Sequence, residues 1–131
     1  MTNDEKAKHW IELAESDILS AEVLAEKKLN LHAGFHCQQA VEKIMKGYFI
    51  KHKNEVHPHI HNLIKLAYIA DLSDKLSDEQ NFFLKELNPL YILTRYDSYK
   101  KDVAETLTEE RINSLLTRTK EFVSWMKEKM F

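Results

Sequence analysis

The 131-residue chain contains only two glycines and two prolines, against roughly 7% and 5% in an average protein. The residues that make sharp turns, bulges and flexible linkers are nearly missing, so little interrupts a helix once it has started. Apolar residues recur at helical spacing as well. From about Asp4 to Lys27, Trp10, Ala14, Ile18, Ala21 and Ala25 form one stripe beside Ile11 and Leu24. Asp4 and Glu5 stand where the helix dipole favours acids, and Lys27 and Lys28 where it favours bases. Asn30 follows as a cap. A second helix, about Leu31 to Lys51, places Ala33, Cys37, Ala40, Val41, Ile44 and Tyr48 along one face. Within it, Gly34 lowers helix propensity, and Gly47 either admits a neighbouring helix closely or only weakens its turn.

The segment His52 to His61 reads HKNEVHPHIH, and Pro58 pushes His57 toward an extended backbone, which predicts a loop. Ile60, Leu63, Ile64 and Ala67 then give a short helix. The polar run Asp71 to Asp78 interrupts the pattern, and Ser77 with Gln80 fits a capping box. Phe83, Leu87 and Leu90 continue a buried side, which Asn88-Pro89 bends or divides. Thr108, Glu109 and Glu110 open a last helix carrying Ile112, Leu115, Leu116, Thr119, Phe122, Val123 and Met126. Three long and two short helical segments with short connections predict an all-α, antiparallel bundle of four to five helices, with residues 1–131 as one domain.

Composition narrows the functional classes. Nineteen lysines and arginines face 21 acids, a formal charge of −2 with histidine neutral. This excludes a strongly polybasic protein while permitting a local basic patch. A single cysteine cannot form an internal disulfide, the opening MTNDEKAKHW has no apolar targeting core, and no apolar run is long enough to span a membrane. The expectation is a cytoplasmic protein with no membrane partner.

Histidines 52, 57, 59 and 61 could ligate a metal by residue type, but they lack the helix-borne spacing and companion carboxylates of a standard site, and no metal or cofactor is assigned. They read as loop, surface or partner-contact residues. His32 and His36 are one helical turn apart, suited to a core boundary, an interface, a nucleotide contact or acid/base participation. The stretch Tyr91 to Lys101 concentrates Arg95, Tyr96, Tyr99, Lys100 and Lys101. Arginine grips phosphate, tyrosine stacks on bases or offers a hydroxyl, and lysine adds attraction. The alternative is structural, with Tyr91 and Tyr96 packing the core and Arg95 pairing with Asp97 or another carboxylate.

The combination HAGFHCQQAVEKIMKGYF, HPHIHNLIKL and LYILTRYDSY resembles the HEPN family, specifically its small members often paired with a minimal nucleotidyltransferase. Gln38-Gln39-Ala40-x-Glu42-Lys43 looks like the family's second helix, His61-Asn62-Leu63 like its His-Asp-Leu segment, and Thr94-Arg95-Tyr96-Asp97 like its Arg-Tyr-Pro region. The resemblance implies a helical bundle, often a homodimer with a shared cleft, and nucleotide binding or a role in a toxin-antitoxin pair. Many members are RNases with an Arg-x4-6-His pattern. Here the positions that would carry that histidine are Lys100, Lys101 and Asp102, no histidine follows His61, and Asp97 replaces the usual proline.

Three functions follow as expectations. The first is a HEPN-like module that binds a nucleotide or a nucleotidyltransferase-like partner without the usual catalytic pair. The second is a divergent, metal-independent endoribonuclease joining Arg95 to His36 or His61 across a dimer cleft. The third is a purely structural interaction domain.

Overall fold

The computed structural model describes the backbone of residues 1–94 and 97–131 and the side chains of residues 1–91 and 100–131. Helix α1, Asn3–Glu26, starts where the Thr2 hydroxyl accepts the Glu5 N–H at 3.1 Å. Its innermost row is Ala7, Ile11, Ala14 and Ala21, while Trp10, Ile18, Leu24 and Ala25 flank it half-buried. The small inner residues let α2, Asn30–Lys53, lie close. The turn between them passes through Lys28 in the left-handed region, at φ 63°.

Asn30, expected as a cap, lies inside the first turn of α2, and the cap position falls to Leu29 with no side-chain bond. A tertiary interaction has displaced the local one: Asn30 Nδ2 donates to the Leu107 carbonyl at 3.0 Å. The hairpin bend is thereby tied to the residue just before the final helix. At the other end Asn54 stops α2 in the left-handed conformation, which asparagine tolerates better than most residues.

The chain directions follow from ion pairs. Asp4 with Lys51 joins the start of α1 to the end of α2, so these helices are antiparallel. Helix α6, Glu109–Met130, pairs Lys127 with Glu15 and Lys120 with Glu22, which makes it antiparallel to α1 as well. It therefore runs parallel to α2. An alanine Cβ built at Gly34 would meet Leu107 and Ile112, and one at Gly47 would meet Trp10 Cβ at 3.0 Å and Met130 Cε at 3.1 Å. Of the two roles open to Gly47, the structure selects close approach. Helix α2 is consequently enclosed on nearly every side, with Cys37, Ala40, Val41, Ile44 and Met45 wholly buried.

The excursion from α2 to α6 returns the chain to its starting end. Asn62 caps α3, Leu63–Ile69, accepting the Lys65 N–H at 3.0 Å, and Ile60 stays in the preceding loop. A 3₁₀ turn, Ser73–Lys75, leads to α4, Asp78–Leu87. Its capping box forms as expected, with the Ser77 hydroxyl accepting the Gln80 N–H at 3.0 Å and the Gln80 side chain accepting the Ser77 N–H at 2.9 Å. The α-helix stops at Asn88-Pro89 and becomes a 3₁₀ segment, Asn88–Thr94, with a break at Tyr91.

Helix α5, Asp97–Thr106, was not expected: seven of its ten residues are polar or charged. Helix α6 begins where the Thr108 hydroxyl accepts the Arg111 N–H at 3.1 Å. The result is an all-helical bundle, with no strand among the described residues. None of the described helices is long and apolar enough to cross a membrane.

Candidate functional site

Helix α2 carries Gln38, Glu42 and Lys46 at four-residue intervals, which stacks them along one side of the helix. All three are almost completely buried. Lys46 Nζ donates to Glu42 Oε2 at 2.9 Å, and Gln38 Nε2 donates to Glu42 Oε1 at 3.2 Å. The third partner is His61, whose Nδ1 lies 3.1 and 3.2 Å from the two Glu42 oxygens. Gln38 Nε2 also donates to the His61 carbonyl at 3.1 Å, holding the backbone at this point. An ion buried this deeply needs both an opposite charge and filled hydrogen-bond sites. Lys46 supplies the first, and Gln38 and His61 complete the second.

This network fixes the imidazole. Carboxylate oxygens only accept, so in the neutral ring the hydrogen sits on Nδ1 and Nε2 is left as the acceptor. The His61 side chain is 48% exposed, although Glu42 beneath it is 4% exposed. Tyr91 stacks on the imidazole at 4.6 Å between centroids and 21° between planes. Beside the pair opens a cleft of about 340 Å³ lined by His61, Asn62, Lys85, Asn88, Pro89 and Tyr91. Asn62 and Asn88 use their side-chain oxygens on the Lys65 and Leu63 N–H groups. Their Nδ2 groups make no hydrogen bond among the described residues. The cleft thus combines an ammonium, two amides, an oriented imidazole and an aromatic face.

His36 belongs to a separate cluster. Its Nδ1 lies 2.8 Å from Asp17 Oδ1, and Lys43 Nζ donates to Asp17 Oδ2 at 2.6 Å. At 100° per residue, His36 and Lys43 project from a different side of α2 than Gln38, Glu42 and Lys46. The two candidate histidines are therefore held by different carboxylates and are not brought together within one chain. His32 is exposed. His57 contacts Trp10 and His59 edge-on, and His52 packs on Tyr48. Among the described residues no group of three or more His, Cys, Asp or Glu is placed to hold a metal. Burial pushes the Cys37 thiol up to about 11, so it is no poised nucleophile.

Arg95 and Tyr96, and the side chain of Tyr99, lie outside the described residues. Lys100 is half-buried on α5 and Lys101 is exposed. Sequence reasoning singled out His61 but missed Glu42 as its partner. The four-residue spacing of Gln38, Glu42 and Lys46 was visible, yet such a row normally faces water, and nothing local marks this one as buried. Lys85, Asn62 and Asn88 were missed because the cleft assembles from three segments.

A HEPN domain family model matches residues 7–129, from the first turns of α1 almost to the end of α6. The chain belongs to the HEPN domain family. Neither a curated protein nor a solved structure gives a significant match. Membership agrees with the all-helical bundle, and it places α2 and the His61-Asn62-Leu63 segment within the matched region of this HEPN chain.

Proposed function

We propose that this HEPN protein is a phosphate- and base-binding module that takes a nucleotide or an RNA segment at the His61–Tyr91 cleft. The observation that carries this reading is the Glu42-oriented His61 stacked on Tyr91 beside Lys85, Asn62 and Asn88. Lys85 and the amides supply donors for phosphate oxygens, and the aromatic pair offers a stacking surface. Arg95, Tyr96, Tyr99, Lys100 and Lys101 extend the phosphate-binding set in this proposal. The family resemblance adds a homodimer, a minimal nucleotidyltransferase partner and membership of a toxin-antitoxin pair. The protein lacks the Arg-x4-6-His pair because Lys100, Lys101 and Asp102 stand where the histidine would be.

Titration with ATP and with single-stranded RNA, followed by calorimetry, tests the binding. His61→Ala and Lys85→Ala should each weaken it by about ten-fold, as expected on losing hydrogen bonds to a charged group. Unchanged affinity in both folded variants would refute the cleft assignment.

One observation favours a second reading, a divergent endoribonuclease. With Glu42 holding Nδ1, Nε2 is the nitrogen left to take a proton from a ribose 2′-OH as that oxygen attacks the adjacent phosphorus; the P–O5′ bond breaks, and the departing 5′-oxygen takes a proton from water. Arg95 would stabilise the charge that develops on the phosphate oxygens. Structured and single-stranded RNA should be incubated with the wild type and with Arg95→Ala, His36→Ala and His61→Ala. Equal background cleavage by all four would sink the enzyme reading and leave the binding module standing.

A further inference from the structure

Helix α4 separates two clefts of opposite character. Lys85 lines the His61 cleft, whereas Glu79 and Phe83 line a cleft of about 260 Å³ between α4 and α6, together with Glu121, Phe122 and Trp125. A neighbouring hollow of about 400 Å³ continues from it past Asp78 and Phe82, and the two share Glu79 and Arg118. The floor is aromatic. Phe83 and Phe122 lie 6.0 Å apart between centroids, and Phe122 and Trp125 lie 5.8 Å apart. At the rim Phe82 is 62% exposed, which leaves a large apolar ring facing water.

The charges around this groove are unbalanced toward the negative. Arg118 is neutralised by Glu86, with Nη1 and Nη2 donating to its two oxygens at 2.8 and 3.3 Å. Asp78, Glu79 and Glu121 are exposed and form no ion pair among the described residues. The aromatic floor already accepts cations from its own chain. Arg118 lies 5.4 Å over the Phe83 ring, and the Lys129 ammonium lies 4.7 Å over Trp125. Carboxylates beside the exposed Phe82 ring and the half-buried Trp125 repel phosphate and attract a cationic, partly apolar surface.

We propose that the α4–α6 groove docks a basic amphipathic helical segment of a partner protein. Its apolar side chains cover Phe82 and Trp125, and its lysines or arginines meet Asp78, Glu79 and Glu121. A helix laid between two helices is the geometry such a groove accepts. The surface stands apart from the His61 cleft and recognises the opposite charge.

The test uses the full chain, labelled with ¹⁵N and titrated with a synthetic amphipathic helical peptide of leucine and lysine. A counterpart with glutamate at every lysine position serves as the control. The lysine peptide should bind saturably, moving the amide signals of Glu79, Phe82, Phe83, Arg118, Glu121 and Trp125, while the glutamate peptide leaves them unmoved. The Phe82→Ser variant and the Glu79→Lys/Glu121→Lys variant replace exposed side chains, so both should stay folded and melt cooperatively, the second slightly below wild type because Glu79 lies in the first turn of α4. Each should bind the lysine peptide about ten-fold more weakly. Lack of saturable binding, signal changes scattered over every acidic surface, or equal affinity in both variants would overturn the proposal. So would self-association of the free protein that Phe82→Ser abolishes, since that would assign the groove to a second copy of the chain.

Discussion

Breaking the Glu42–Lys46 pair should reveal how strongly the buried network couples. The two side chains are 4% and 6% exposed and 2.9 Å apart, so neither charge is well placed to return to water when its partner is lost. Lys46→Met leaves the Glu42 carboxylate with only Gln38 and His61, and Glu42→Gln leaves the ammonium facing an amide. Each change strands a buried charge, at a cost of about 3 kcal/mol or more. The double variant Glu42→Gln/Lys46→Met strands none. Its loss should reduce to weakened hydrogen bonds, about 1–2 kcal/mol.

The singles should therefore sum to several kcal/mol more than the double, a large departure from additivity. Urea unfolding followed by far-ultraviolet circular dichroism gives the three differences, provided the denaturant slopes agree. Additivity to within about 0.5 kcal/mol would refute the reasoning, because it would mean that the Lys46 ammonium reaches solvent. The imidazole ¹⁵N shifts of His61 supply a second readout. Glu42→Gln should shift the population away from the Nδ1–H form, and an unchanged tautomer would show that Glu42 does not orient the ring.

Three further outcomes follow from packing, burial and capping. Gly47→Ala should destabilise by about 1–3 kcal/mol because the added methyl meets Trp10 Cβ, which is fixed to the α1 backbone. Gly34→Ala meets only the ends of Leu90, Leu107 and Ile112 side chains, so its thermal midpoint should stay nearer to wild type; the reverse order would contradict the helix contacts. The raised Cys37 pKa means that the folded state prefers the thiol while the unfolded chain ionises near its ordinary 9.0. Its contribution is full below about pH 9 and falls as pH rises through 11, by about 2–3 kcal/mol. The stability difference between wild type and Cys37→Ala should shrink over that window, and parallel curves would contradict it. Ser77→Ala removes one arm of the α4 capping box and should cost about 1 kcal/mol in chemical unfolding; no loss would mean that packing alone starts the helix.

The helices were legible wherever a local signal existed. Thr108 and Ser77 announced their helix starts by residue type, and the apolar spacing of α2 and α6 gave both helices within a few residues. Asn30 misled because its side chain satisfies a carbonyl 77 residues away, an option that no local rule weighs. Helix α5 escaped because seven of its ten residues are polar or charged and leave little apolar spacing to follow. The site was legible only in part. His61 stood out as a residue, but its partner Glu42 looks like any surface acid until α3, α6 and the 3₁₀ segment enclose α2.

The enclosed polar row on α2 poses a question that stability alone does not answer. Replacing a buried ion pair by well-packed apolar side chains is often neutral or stabilising, so Gln38, Glu42 and Lys46 are not the most economical filling for this space. Their arrangement does more than satisfy itself. Lys46 balances Glu42, Glu42 turns the His61 ring, and Gln38 fixes the His61 backbone, so each buried group restrains one solvent-facing imidazole. An apolar row could support α2 equally well but would leave His61 free to rotate in its loop. The polar row is thus better explained by the orientation of His61 than by the cohesion of the bundle, and the cleft beside Tyr91 is the surface on which that orientation acts.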